Sequence, residues 1–408
     1  PLYLQHISTT PPPVLRFSNW TLIRMIPLLL FYATAISAQD LLGNFTDGQL
    51  IMVQAIIRHA DRAGVENYTT PTAASVFFRG LGEISDEGID NSVKVGQAFN
   101  DRYVATGFLD SRLVPSQVYF RSTNITRTLM TAEAFSTGLF AKTDAGNSRV
   151  AAVWTETMVF DSLFGAGPVL SCPADQSYLM TKYNLTNLMD FFNFTIMAPK
   201  FFPNVTIPCE GIDLNLIDAI VAEMATTKTA LPANYRICGE QFGKQYMYRQ
   251  TAATVGAGAE DYSPARLKAV VGYLLNTIIQ DFKNKANCTY PCSDNKMRLY
   301  FAHDLHLLAL AEILGFEPDF NDQEPEFLSA IVLELRRGAQ GDYIQMYLKN
   351  GVNADFMSVD ECPEFGNCTV DSFTQARSSF LSAVPITCGG AVAALSMLLL
   401  VFFLLLLS

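Results

Sequence analysis

The stretch QLIMVQAIIRHADR, residues 49–62, decides how the chain reads. From Leu50 to Ile57 it is apolar but for Gln54, and then it ends abruptly in charge. A run of this kind predicts a strand buried on both faces, as in a parallel sheet. Arg58, His59 and Arg62 then fall at the C-terminal end of that strand, where open α/β sheets hold their ligands. Two arginines around a histidine suit an anion pressed against a ring nitrogen, because the guanidinium fork matches paired phosphate oxygens. Taken alone, the cluster reads equally as a solvated loop with a chance histidine.

Outward from this strand the pattern repeats. ISDEGIDNSVKVGQAFNDRYVATG (84–107) predicts a helix, with Ser85 as cap, Asp86 and Glu87 in the first turn, and Val93, Phe99 and Tyr103 at helical spacing. SQVYFRST (116–123) is a second strand, ITRTLMTAEAFSTGLF (125–140) a helix and RVAAVWTETM (149–158) a third strand. Residues 165–292 lose the strand signal. LIDAIVAEMATT (216–227) and ARLKAVVGYLLNTIIQDFKNK (265–285) are amphipathic helices there. Strands return as KMRLYFAHD (296–304), AIVLELRR (330–337) and YIQMYLKNG (343–351), with the helix LHLLALAEILG (305–315) after the first. The alternation predicts an α/β fold, its sheet flanked by helices on both faces. The core would comprise residues 48–164 and 293–388, and residues 165–292 an inserted, mainly helical lobe.

The chain has 408 residues, half of them apolar, and a net charge of −11. An acidic chain lacks the basic face that nucleic acid requires. Arg24 precedes the short apolar run MIPLLLFYATAISA (25–38), which reads as a signal peptide cleaved after Ala38, with residues 1–24 outside the mature protein. Residues 389–407 carry no charge and are long enough to span a bilayer. They read as a membrane anchor or as a lipid-anchor signal. Eight cysteines and sequons at Asn44, Asn67, Asn124, Asn184, Asn193, Asn204, Asn287 and Asn367 agree with export. The expected location is the secretory pathway, with the folded domain extracellular or lumenal.

Two more strand ends finish in charge. Arg121 stands just before a helix, whose N-terminus would add amides and a positive dipole for an anion, although an arginine there also suits a surface ion pair. FAHDLH (301–306) supplies His303 and Asp304. An acid beside a leaving oxygen can donate a proton and later activate water, although Asp is also a common helix N-cap. His303 and His306 have metal-pair spacing, but two ligands are too few for a site. His306 reads as a pocket-wall or core residue.

Together RHADRAG (58–64), RSTNITRT (121–128) and the pair His303–Asp304 resemble the motifs of the histidine acid phosphatases, the branch of the histidine phosphatase superfamily that includes lysosomal, prostatic and nematode intestinal enzymes. The family pattern is RHG-x-R-x-P, then RSTD-x-x-RT, then HD. The resemblance runs from about Gln49 to Cys388 and implies a central mixed sheet. It implies that His59 attacks phosphorus, that Arg58, Arg62, Arg121 and His303 clamp the phosphoryl oxygens, and that Asp304 protonates the leaving group. The substrates would be small phosphomonoesters, with no metal and no cofactor. A homodimer is left open.

Ala60 replaces the motif glycine; it would be strained if that position needs positive φ, and would otherwise only tighten the pocket. Gly64 replaces a proline, which should loosen the loop, and Leu305 and His306 replace small polar residues. The resemblance pairs Cys172 with Cys388 and Cys362 with Cys368. Of the three ways to join the other four, Cys209–Cys238 with Cys288–Cys292 is preferred. Cutting for a lipid anchor at Ser378 or Ser379 would discard Cys388, so a retained membrane helix is the expectation. Two alternatives stand beside this reading: a phytase-like phosphatase of inositol phosphates, which would want a more basic lobe, and a non-catalytic surface glycoprotein, which loss of a motif residue would favour.

Overall fold

The structure is a computed structural model that describes residues 48–141, 151–158, 161–164, 172–226, 228–288, 293–338, 341–359 and 368–386. The proposed leader (1–24 and 25–38) and membrane segment (389–407) lie outside the described residues, as do Asn44 and Asn367. Among the described residues no helix is long and apolar enough to cross a membrane.

From Gln49 onward the described residues belong to one compact unit. Its centre is a seven-stranded mixed sheet of order β3-β2-β4-β1-β5-β6-β7. The strands are β1 (Gln49–Arg58), β2 (Val118–Ser122), β3 (Val153–Trp154), β4 (Met297–Ala302), β5 (Ala330–Gly338), β6 (Gly341–Lys349) and β7 (Met357–Val359). Strands β3, β2, β4 and β1 run parallel; β5, β6 and β7 continue the sheet antiparallel. The described third strand is only two residues long, much shorter than its sequence suggested.

Strand β1 shows why the sequence is apolar on both faces. Val53, Ala55 and Ile57 pack with Phe99 and Phe135 on one side, from the helices α1 (Asp86–Phe99) and α2 (Thr126–Leu139). Met52 and Ile56 pack on the other side with the later helices α5 (Pro264–Ala286) and α6 (Asp304–Leu314). Successive side chains of a strand point to opposite faces, so a strand covered twice must be apolar at both parities. Gln54 is the exception, and it is satisfied: its amide donates to the Ile278 carbonyl at 2.9 Å and its oxygen accepts from Tyr300 at 3.1 Å. Ser85 caps α1, accepting from the Gly88 amide at 2.9 Å.

The lobe has its own core, built from Leu179, Phe191, Phe201, Ile220, Phe242, Tyr246 and their neighbours. It includes α3 (Ile217–Met224) and α4 (Lys244–Val255). The Cys209–Cys238 disulfide joins two buried positions within that cluster. Helix α5 falls inside the 165–292 span, yet its buried face, Leu267 to Phe282, joins the sheet cluster instead. Cys172, Cys288 and Cys368 are also disulfide-bonded. The pairings Cys172–Cys388, Cys362–Cys368 and Cys288–Cys292 each involve a residue outside the described ones.

Candidate active site

The register of the sheet brings the charged strand ends together. Arg58 lies opposite Ala302, so His59 and His303 follow side by side on adjacent parallel strands, and Ser122 lies opposite Phe301 on the far side of β4. The His59 and His303 rings meet edge to face with centroids 5.3 Å apart.

His59 is fully buried, and its Nδ1 lies 2.9 Å from its own neighbour's carbonyl, Ala60 O. A carbonyl only accepts, so Nδ1 carries the proton and Nε2 the lone pair. Burial, then the charge of Arg127, His303, Arg58 and Arg62, holds the ring well below the ordinary histidine range. A ring kept neutral at acid pH with its tautomer fixed is equipped to be a nucleophile. Ala60 is not among the residues with positive φ, so alanine is unstrained there. Its amide donates to Thr131 Oγ1 at 3.1 Å.

Arg58, Arg62 and Arg121 are each held by a carboxylate. Arg58 Nη2 reaches Glu324 Oε1 at 2.8 Å and Asp304 Oδ2 at 3.8 Å, while Nη1 donates to the Pro325 carbonyl. Arg62 forms a two-pronged pair with Asp218 from lobe helix α3, at 2.8 and 3.2 Å. Phe327 lies beneath both guanidinium groups, 4.4 Å from Arg58 Cζ and 5.9 Å from Arg62 Cζ, and 5.7 Å from the His59 ring. Arg121 pairs with Asp161 at 2.6 Å and lies over Phe164. Arg121 also donates to the Ser122 carbonyl, so its partners are a carboxylate, a backbone oxygen and a ring rather than the His59 ring.

His303 Nε2 lies 3.0 Å from Thr123 Oγ1, and burial together with the Arg127 charge lowers its pKa well below 6.5. His303 is the residue that precedes α6, and Asp304 is its first helical residue. Asp304 is thus not the cap that its type suggested. Burial raises its pKa, but Arg58 and the hydrogen bond with Glu324 outweigh this and hold it below the usual carboxylate range. His306 is a core residue. It packs edge-on against Phe164, its Nε2 lies 3.3 Å from the Phe164 carbonyl, and burial lowers it to about 4.

Four residues of this site escaped the sequence reading. Arg127 lies in the quoted RSTNITRT segment; it donates to the Gly82 carbonyl at 3.1 Å, and burial with the Arg62 charge pulls it down to about 9. Asp218 comes from the lobe, and nothing local marks it. Glu324 and Phe327 stand in the loop QEPEF ahead of β5, whose two glutamates and one phenylalanine resemble any surface turn. Gly64 differs from expectation too. A Cβ there would meet Asn67 O at 2.5 Å and Ala219 Cα at 2.7 Å, so this glycine lets the loop press against α3 rather than loosening it. A cavity of about 270 Å³ opens beside Arg58, between Glu324 and Phe327 of the core and Met224, Arg236 and Lys244 of the lobe.

A buried histidine flanked by arginines, with a paired acid beside it, stands at the C-terminal edge of a mixed sheet, an arrangement that suits an anion held against a ring nitrogen. The family model described as "Histidine phosphatase superfamily (branch 2)" matches residues 49–162 and 241–349, more than half of the chain. The chain belongs to that superfamily. It is 25% identical over 369 residues to putative acid phosphatase 1 of Caenorhabditis briggsae, covering 83% of this chain and 82% of the relative. It is 26% identical to the lysosomal acid phosphatase of Rattus norvegicus, covering 74% and 71%. Among solved structures the apo phytase of Hafnia alvei superposes with a TM-score of 0.57 at 17% identity, covering 83% of this chain and 98% of that one, which is a likeness of fold. The chain is a phosphatase, a phosphoric monoester hydrolase of this superfamily.

Proposed function

We propose that the chain is an acid phosphatase that hydrolyses small phosphate monoesters through a phosphohistidine on His59. Nε2 attacks phosphorus while Asp304 gives a proton to the departing ester oxygen. Water, losing a proton to Asp304, then displaces His59 and releases phosphate. Arg58, Arg62 and His303 hold the phosphoryl oxygens, with Arg121 reached across β4. The charge that builds on those oxygens is met by groups already in place, which is the main catalytic resource of such reactions. The observation that carries this reading is the His59 ring, buried, neutral, fixed through Nδ1, and surrounded by Arg58, Arg62 and Arg127.

Passage through the secretory pathway is supported by the Cys209–Cys238 disulfide and by relatives named lysosomal and prostatic acid phosphatase. Attachment through residues 389–407 extends that reading. The direct test of function is hydrolysis of an aryl phosphate by the purified domain across about pH 4 to 8. Turnover rising toward acid pH supports the reading; no turnover at any pH overturns it.

A further inference from the structure

The general acid of the proposed mechanism does not stand alone. Glu324 and Asp304 are both buried, and the same nitrogen, Arg58 Nη2, lies 2.8 Å from Glu324 Oε1 and 3.8 Å from Asp304 Oδ2, so the two carboxyls sit together against one guanidinium. Two buried carboxyls gathered on one guanidinium disfavour double ionisation, and a proton kept between them relieves the repulsion. The surroundings set how tightly it is held. Arg58 from the end of β1 faces both groups, Arg62 faces Glu324, and Arg127 from α2 and His303 and His306 from the start of α6 face Asp304.

We propose that Glu324 is a positioning residue that keeps a proton available to Asp304, the two carboxyls acting as one pair that carries a single shared proton. The inference rests on Asp304 being the general acid. In the first step the pair's proton passes from Asp304 to the ester oxygen as the P–O bond breaks and the Nε2–P bond forms. The alcohol leaves neutral and the pair is left doubly ionised. In the second step water gives a proton back to Asp304 as its oxygen bonds to phosphorus and the Nε2–P bond breaks, and Glu324 shares that proton again. Burial and the Asp304 carboxylate push Glu324 well above the ordinary range, consistent with Glu324 holding the proton at rest. Coupled carboxyls of this kind titrate as a pair.

The test is the alkaline limb of kcat/KM for an alkyl phosphate, whose poor leaving group needs the proton, set beside an aryl phosphate with a good one. Glu324→Gln keeps a hydrogen-bonding partner for Arg58 and Asp304 but removes the shared proton. Its alkyl-phosphate limb should move toward acid by about one pH unit, which is about a tenfold loss above the limb. The aryl-phosphate limb should move far less. Glu324→Asp, which keeps a carboxyl, should lie between. A limb that stays in place in either folded variant overturns the proposal. If Asp304→Asn itself slows both esters equally, the general-acid reading fails, and the proposal falls with it.

Discussion

Arg62 and Asp218 meet as a two-pronged ion pair between the α/β core and the lobe, Nη2 to Oδ1 at 2.8 Å and Nη1 to Oδ2 at 3.2 Å. Asp218 Oδ2 also accepts from the Val65 amide at 2.7 Å. One carboxylate therefore fixes both Arg62 and the loop that carries it. Asp218→Ala leaves Arg62 as a buried charge without its partner, a change that costs about 3–5 kcal/mol. Denaturant unfolding should show that loss, and kcat/KM for an aryl phosphate should fall more than about tenfold. Unchanged stability would contradict the pairing.

Gly64 faces the same interface. The two backbone atoms that a Cβ would strike, Asn67 O and Ala219 Cα, cannot swing aside as a side chain would. Gly64→Ala should destabilise the domain by about 1–3 kcal/mol. It should also raise KM, because α3 carries Asp218. A neutral thermal midpoint would show that the loop is slack there.

The buried histidines set an acid limit on stability. His59, His303 and His306 all have lowered pKa values, so the unfolded chain binds more protons than the folded one below the ordinary histidine pKa. Stability is then full above about pH 6.5 and falls as the pH drops. For His306, held near about 4, the fall amounts to on the order of 3 kcal/mol. His306→Gln should flatten the decline between about pH 6.5 and 4 without abolishing turnover, as measured by unfolding at several pH values. An identical slope in both proteins would place the His306 proton elsewhere.

Asp304→Asn keeps the shape beside Arg58 and removes the transferable proton. The penalty in kcat should be large for an alkyl phosphate and small for an activated aryl phosphate. Equal losses would reduce Asp304 to a group that orients Arg58.

The sheet was legible because burial on both faces leaves β1 and β4 apolar at both parities, with Gln54 and Arg298 as polar interruptions between buried residues. The strand ends were legible because Arg58-His59 and His303-Asp304 break those apolar runs abruptly. Residues that answer them from a distance were not. Asp218 lies 156 residues from Arg62, in a helix whose sequence otherwise records only its own packing. Glu324 became visible only when the loop before β5 folded over Arg58. Helix α5 reads as amphipathic in any setting, and amphipathicity does not say which core its apolar face joins. The two-residue β3 shows the converse: an apolar, β-branched run becomes strand only as far as a neighbour pairs with it.

The central claim is a covalent phosphohistidine at His59. Enzyme mixed with a phosphate-labelled monoester and quenched in alkali, where phosphohistidine survives, should carry label on the peptide containing His59. His59→Ala should remain folded, carry no label and lose turnover. Label on another residue, or turnover retained in His59→Ala, would contradict the account.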